Sequence, residues 1–337
     1  MSMKIAVMGS GSWGTVFAQV LTDAGNDVVI WSRQQAVADA INNTHRNPSH
    51  VSEFVLPESI RATTVAAEAL TAAEIVVVAL PSHAYRSNLE QWKELIPKNA
   101  VVVSLAKGIE NETNLRMSEV IGQVTGIGAE RIAVLSGPNL AHEIAQRQPT
   151  ATTIACIDDD NARLIQDACT TPYFRPYSTH DVIGVEIAGA LKNVIALANG
   201  IAAGLGFGEN SQASIITRGL HEITALGIML GANEKTFAGL AGVGDLIATC
   251  QSPLSRNRSF GVKLAEGKNV TDLISQTKET CEAVKSCFPL LQLGRAHELE
   301  MPITAGVVAV VHRGLQPQEL LERFMTRATK REVENGG

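Results

Sequence analysis

The first half of the chain alternates short, nearly unbroken apolar runs with stretches whose apolar residues recur every three or four positions. The runs are "KIAVMG" (4–9), "DVVIWS" (27–32), "EIVVVAL" (74–80), "VVVSLAK" (101–107) and "RIAVLSG" (131–137). Continuous rather than alternating hydrophobicity is what a parallel strand covered on both faces requires. Helical periodicity lies between the runs, at 14–24, 34–43, 65–71, 84–94 and 113–124. "TATTIACID" (150–158) reads as a later strand extending the sheet. This order predicts an α/β domain built on a doubly wound parallel sheet. From about residue 180 helical periods take over, at 182–203, 211–230, 233–238, 256–266, 271–276, 282–299, 303–313 and 317–331, so the second half reads as all-helical. The boundary is expected near residue 190, dividing the chain into 1–190 and 191–337. No Pro/Ser-rich linker separates the halves, so they are expected to share a helix and a cleft. The charged tail "KREVENGG" is expected to fray.

One helical stretch breaks its own pattern. "VEIAGALKNVIALANGI" (185–201) is apolar on every side yet carries Lys192 and Asn193. A buried ammonium is costly to keep charged and either shifts its pKa or finds partners. Two readings stand: a wet face on a surface helix, or a lysine aimed into a cleft where it does chemistry.

Composition narrows the class. A length of 337 residues corresponds to about two domains, and a 45% hydrophobic share is that of a globular protein able to build its own core. A net charge of −6 argues against general nucleic-acid or membrane-surface binding. Glu186, Lys192, Asn193 and Asn199 interrupt the most apolar stretch, which argues against a membrane span. Five cysteines at 156, 169, 250, 281 and 287 form no CxxC pair, and "MSMKIAVMGS" has no secretory pattern, which places the protein in the cytoplasm. "HEIAQ" from His142 lacks the second histidine of a zinc motif, and His45 and His50 have no ligand spacing, so no metal is expected.

"GSGSWG" places Gly9, Gly11 and Gly14 in G-x-G-x-x-G spacing, after a strand and at the opening of a helix. Gly9 permits the tight turn, Gly11 the approach of a pyrophosphate to the backbone, and Gly14 close helix–strand packing. Free amides and the helix dipole then favour an anion. Ser12 and Trp13 lie inside the turn. The second strand ends in Ser32 and Arg33, without the carboxylate that usually marks NAD preference. Arg33 is placed either to pair with a 2′-phosphate or to stack on adenine without discriminating. The expected cofactor is NADPH, bound at least as well as NADH.

The blocks "GSGSWGT", "SLAKGIE", "LSGPNLAHE", "EIAGALKNVIALANGI", "ITRGLHE" and "GLAGVGDLIATCQSPLSRNRSFG" follow one another in that order. Together they resemble the NAD(P)-dependent glycerol-3-phosphate dehydrogenases of the soluble type common in bacteria, over residues 4 to about 310. The resemblance implies a Rossmann-like domain joined to a helical one, and interconversion of dihydroxyacetone phosphate and sn-glycerol 3-phosphate for glycerophospholipid synthesis. It implies that Lys192 is the general acid and base, that Lys107 contacts substrate and cofactor, and that Asp245 lies beside Lys192. It places Gly137, Asn139, Ser255, Arg256 and Asn257 against substrate. Ala141, Arg256, Glu282 and, more weakly, Thr280 are placed against cofactor.

The chemistry agrees with the lysine assignments. An ammonium polarises a ketone and protonates the developing alkoxide. "SRNR" (255–258) brings hydroxyl, guanidinium and amide donors to a helix start, which suits a phosphate dianion; Arg258 itself reads as solvated. Each of these residues also has a plainer reading, as a helix cap, a loop lysine or a turn. The chain departs from the family in three places. Asn139 stands where Ser or Thr is usual, Cys281-Glu282-Ala283 replaces Val-Glu-Gly, and no aromatic accompanies Asn47, which leaves Trp13 to stack near the nicotinamide side. A hydroxyacid or sugar-acid dehydrogenase and a non-catalytic NADPH sensor remain rival readings. A homodimer through the apolar helices of the second half is compatible with the pattern.

Overall fold

The computed structural model describes residues 2–276 and 281–320. Thr280 and the end of the helix expected at 317–331 lie outside the described residues. The strands are β1 (Lys4–Met8), β2 (Asp27–Trp31), β3 (Arg61–Thr63), β4 (Ile75–Val78), β5 (Val101–Ser104), β6 (Ile132–Ser136), β7 (Thr150–Ala155) and β8 (Phe174–Thr179). They form one sheet in the order β3-β2-β1-β4-β5-β6-β7-β8. All pairs are parallel except β6–β7, which is antiparallel and begins the extension of the sheet. The chain winds outward from β1 to β2 and β3, then returns to place β4 on the other side of β1, in register Ile5↔Ile75 to Met8↔Val78. A doubly wound sheet opens a crevice at the carboxyl ends of its strands where the winding reverses. Here that point lies between β1 and β4.

Helices cover both faces, as the unbroken apolar runs require. One core packs Ile5, Val7, Val28, Ile30, Val77 and Val103 against Phe17 and Leu21. The other packs Ala6, Met8, Val76, Val78 and Val102 against Tyr85, Leu89 and Trp92. Four of the elements that escaped the periodicity show why. β3 has three residues, and β8, "FRPYST", alternates buried and exposed positions around Pro176, a pattern suited to an edge strand. Helix Asp159–Cys169 opens with Asp158 accepting from the Asn161 N–H at 2.9 Å, a cap that "DDDN" displays in the sequence. Helix Asp245–Gln251 follows a wide turn at Leu240–Gly244, where the glycines obscure the helical pattern.

Helix Val182–Gly204 is the axis of the molecule, and it runs without interruption through residue 190. Val182 and Val185 pack on Val134 of β6 and Ala155 of β7, and from Ile187 onward the helix is the centre of the helical core. Gly200 and Gly261 let helix Arg256–Ala265 cross it at backbone contact, since a Cβ on Gly261 would stand 2.2 Å from the Leu197 carbonyl. Ile187, Leu191, Val194, Ile195 and Leu197 are fully buried. At about 1.5–3 kcal/mol for each such side chain, they outweigh the several kcal/mol that a buried ammonium costs. Among the described residues this is the one helix long and apolar enough to cross a membrane, and 89% of its most apolar window is buried within the protein.

Candidate active site

The glycine turn follows β1 at the winding reversal. Gly9 has φ +137°, and a Cβ there would stand 2.4 Å from the Ala79 carbonyl after β4. A Cβ on Gly14 would lie 2.3 Å from the Gly9 carbonyl, whereas one on Gly11 would meet nothing within 4 Å. Gly11 caps helix Ser12–Asp23 without any side-chain hydrogen bond, and the first turn holds no acidic residue. Open space at Gly11, beside a helix start with no side-chain cap, is the cradle that a dinucleotide diphosphate requires, so the residues fit the cofactor. Arg33 lies exposed two residues past β2, beside a turn pinned by the Gly9 N–H to the Trp31 carbonyl (3.1 Å) and by Ser10 Oγ to Ser32 Oγ (2.9 Å). The Trp13 indole packs on Phe17 and on Phe174 of β8, at ring separations of 5.4 and 6.4 Å. β8 thus supplies an aromatic partner that the sequence pattern did not reveal.

The lysine of the central helix is buried, 6% exposed, which settles the question its sequence raised against a wet face. Its Nζ donates to Asp245 Oδ1 at 2.5 Å and to Thr249 Oγ1 at 2.6 Å. The other carboxylate oxygen, Oδ2, accepts from Lys107 Nζ at 2.6 Å. Lys107 sits three residues past β5, and its Nζ also donates to the Gly137 carbonyl, directly after β6, at 2.8 Å. One carboxylate therefore joins two ammoniums, one from the sheet lobe and one from the helical lobe. Burial lowers the Lys192 pKa to about 7; Asp245 opposes this and Lys107 reinforces it. Burial pushes the Asp245 carboxyl upward, but the two ammoniums outweigh it and hold it below the ordinary aspartate range. Thr249, one helical turn after Asp245, escaped the sequence reading, although its i,i+4 spacing within "DLIATC" was visible.

Asn193 and Asn257 extend this centre through hydrogen bonds. Asn193 Nδ2 donates to the Lys107 carbonyl at 2.9 Å, and Asn193 Oδ1 accepts from Asn257 Nδ2 at 2.9 Å. Asn257 Oδ1 accepts from the Ala283 N–H and from Cys281 Sγ, both at 3.1 Å, so this side chain is engaged. Ser255 caps the helix, its Oγ accepting from the Arg258 N–H at 3.3 Å. Arg256 is exposed in the first turn, and its charge acts on Glu282. Arg258 is not solvated as expected: it is half-buried, because its backbone packs on Gly200 of the central helix. Asn139 Nδ2 donates to Thr152 Oγ1 at 3.1 Å, and Ala141 opens helix Ala141–Ala145. Glu282 accepts from Ser82 Oγ at 3.2 Å across the two lobes; burial raises its pKa, against the Ser82 hydrogen bond and the Arg256 charge. Ser82 gave no signal in the sequence. Among the described residues no group of His, Cys, Asp or Glu is placed to hold a metal ion.

A glycine turn at the winding reversal of the sheet, and a buried lysine on the helical lobe joined through Asp245 to Lys107 of the sheet lobe, are the parts of a two-lobed oxidoreductase that uses a nicotinamide dinucleotide. Residues 4–162 match the sequence profile of the NAD-dependent glycerol-3-phosphate dehydrogenase N-terminus, and residues 181–322 that of its C-terminus. The chain belongs to the NAD-dependent glycerol-3-phosphate dehydrogenase family. It is 54% identical over 331 residues to glycerol-3-phosphate dehydrogenase (NAD(P)+) of Corynebacterium urealyticum, covering 98% of this chain and 100% of that one. The enzyme of the same name from Thermobifida fusca is 54% identical over 330 residues, covering 98% of each chain. Among solved structures, glycerol-3-phosphate dehydrogenase from Coxiella burnetii superposes with a TM-score of 0.92 at 32% identity, covering 97% of this chain and 99% of that one.

Proposed function

We propose that the protein interconverts dihydroxyacetone phosphate and sn-glycerol 3-phosphate using NADPH or NADH, with Lys192 as general acid and base. The observation that carries this reading is that one buried carboxylate, Asp245, holds both Lys192 and Lys107 at the meeting of the lobes. Gly9, Gly11, Ser12, Trp13, Gly14, Arg33, Lys107, Ala141, Arg256 and Glu282 would hold the dinucleotide. When bound, the reduced nicotinamide supplies a hydride to C2 of the ketone. Lys192 Nζ gives its proton to the carbonyl oxygen as that oxygen gains charge, and burial favours the neutral amine that remains. In the oxidation direction the amine takes the hydroxyl proton back. Asp245 fixes the ammonium, and Lys107 adds positive charge beside the oxygen. Gly137 and Asn139 line the substrate, while Ser255, Arg256 and the backbone N–H of Asn257 receive the phosphate at a helix start. The two lobes divide near residue 190.

The test is a coupled assay: purified protein, dihydroxyacetone phosphate, and NADPH or NADH in turn, read at the nicotinamide absorbance. Oxidation dependent on this ketone supports the reading. Turnover only with a carboxylate substrate, or cofactor binding without turnover, refutes it. Arg33 supports NADPH use, because an exposed guanidinium beside the turn matches a 2′-phosphate. Arg33→Ala should raise the KM for NADPH about tenfold and leave that for NADH within twofold; equal effects on both would remove the assignment.

The product of this reaction is the backbone of glycerophospholipids, which supports a role in their synthesis, and five unpaired cysteines support a cytoplasmic setting. Exposed Phe207, Ile228 and Met229 on the helical lobe support a homodimer, to be checked by light scattering.

A further inference from the structure

Asn47 lies in a polar segment after helix Gln35–Thr44, where the sequence offers no periodicity. Its side chain is nevertheless completely buried. Every polar position of its amide is used. Nδ2 donates to the Ser10 carbonyl and to Thr15 Oγ1, both at 2.8 Å. Oδ1 accepts from the Ser49 N–H at 3.0 Å and from the His50 N–H at 3.2 Å. The orientation of the amide is fixed, because two backbone N–H groups can only donate and must therefore face Oδ1. The carbonyl end folds the local turn of Asn47 itself, and the amino end grips the glycine turn.

That grip has a consequence for the diphosphate cradle. The Ser10 carbonyl and the Gly11 N–H belong to one planar trans peptide, in which the two groups point in opposite directions. Drawing the carbonyl inward to Asn47 turns the Gly11 N–H the opposite way, and a Cβ on Gly11 would itself meet nothing within 4 Å. Thr15 Oγ1 also donates to the Ser10 carbonyl, at 3.3 Å, and so supports the same peptide orientation. We infer that Asn47 is a positioning residue of the cofactor site: its Nδ2 holds the Ser10–Gly11 peptide so that the Gly11 N–H faces the cofactor diphosphate. This rests on the dinucleotide reading of the glycine turn.

Two variants test it. Asn47→Asp keeps the acceptor for the Ser49 and His50 N–H groups but has no donor for Ser10. Thr15→Val is nearly isosteric, adds no charge and removes one of the two supports. Dissociation constants for NADPH and NADH are measured by quenching of protein fluorescence, beside the KM for dihydroxyacetone phosphate at saturating NADPH. Asn47→Asp should weaken both nucleotides about tenfold, because both carry the diphosphate, with the ketone KM within twofold of wild type. Thr15→Val should weaken both about threefold. Nucleotide affinity of Asn47→Asp within twofold of wild type would overturn the inference, as would an equal loss in the ketone KM, which marks a general structural defect. If Asn47→Asp does not fold, Thr15→Val decides: the expected weakening supports the inference, and unchanged affinity for both nucleotides overturns it. Failure of the wild-type protein to bind either nucleotide would instead refute the cofactor reading beneath it.

Discussion

Lys192→Ala should lower turnover by about 10²–10⁴-fold while leaving the NADPH dissociation constant within about twofold. The contrast follows from position: the ammonium touches Asp245 and Thr249 in the helical lobe, not the glycine turn. A fall in turnover matched by a fall in nucleotide affinity would mean that the residue holds the lobes together rather than moving a proton. The wild-type pH profile gives a second check. With the Lys192 pKa brought down to about 7 by burial, ketone reduction needs the protonated form, so its kcat/KM should fall above about pH 7. Alcohol oxidation needs the neutral amine and should fall below about pH 7. Stability carries the same signature. The folded pKa lies below the ordinary value, so the cost of the buried charge is fully present below about pH 7 and is relieved as pH rises toward the ordinary lysine range. Profiles that ignore this region in both directions would sink the assignment.

Asp245→Asn should be nearly as damaging to turnover, and more damaging to the fold. Asp245 is 2% exposed and compensates two ammoniums at once. Removing one partner of a buried ion pair costs about 3–5 kcal/mol, because the remaining charge is left uncompensated. Here the protein would shed that charge by lowering the Lys192 pKa further, so ketone reduction should lose its acid at neutral pH and its profile should move to lower pH. Urea unfolding and the reduction profile measure the two effects separately. A wild-type profile in the Asn variant would show that the carboxylate does not set the lysine. In the native protein the aspartate is held below its usual range, so its stabilisation is present at neutral pH and is lost as pH falls through that lowered value.

Much of this site was legible because it is local. Gly9, Gly11 and Gly14 declare a phosphate turn by spacing, and the unbroken apolar runs declare strands buried on both faces. A charged residue in the middle of an all-apolar helix declares itself as an anomaly even without a partner in view. Other features were hidden by the range of the signal. β8 carries Pro176 and alternates, so its run is too weak to read, and the aromatic partner it gives Trp13 was missed with it. Arg258 reads as an ordinary surface arginine until Gly200 brings its backbone against the central helix.

The sequence by itself determined the doubly wound sheet, the helical second half, the glycine turn and the identity of the odd lysine, because periodicity and residue spacing act over a few turns of chain. Only the tertiary structure decided that Lys107 and Lys192 share one carboxylate, that Thr249 joins them, and that Asn47 grips the glycine turn. Those contacts join residues 138, 53, 57 and 37 positions apart. Hydrogen bonds and charge pairs act over about 3 Å of space, a distance that chain spacing does not encode until both lobes have folded.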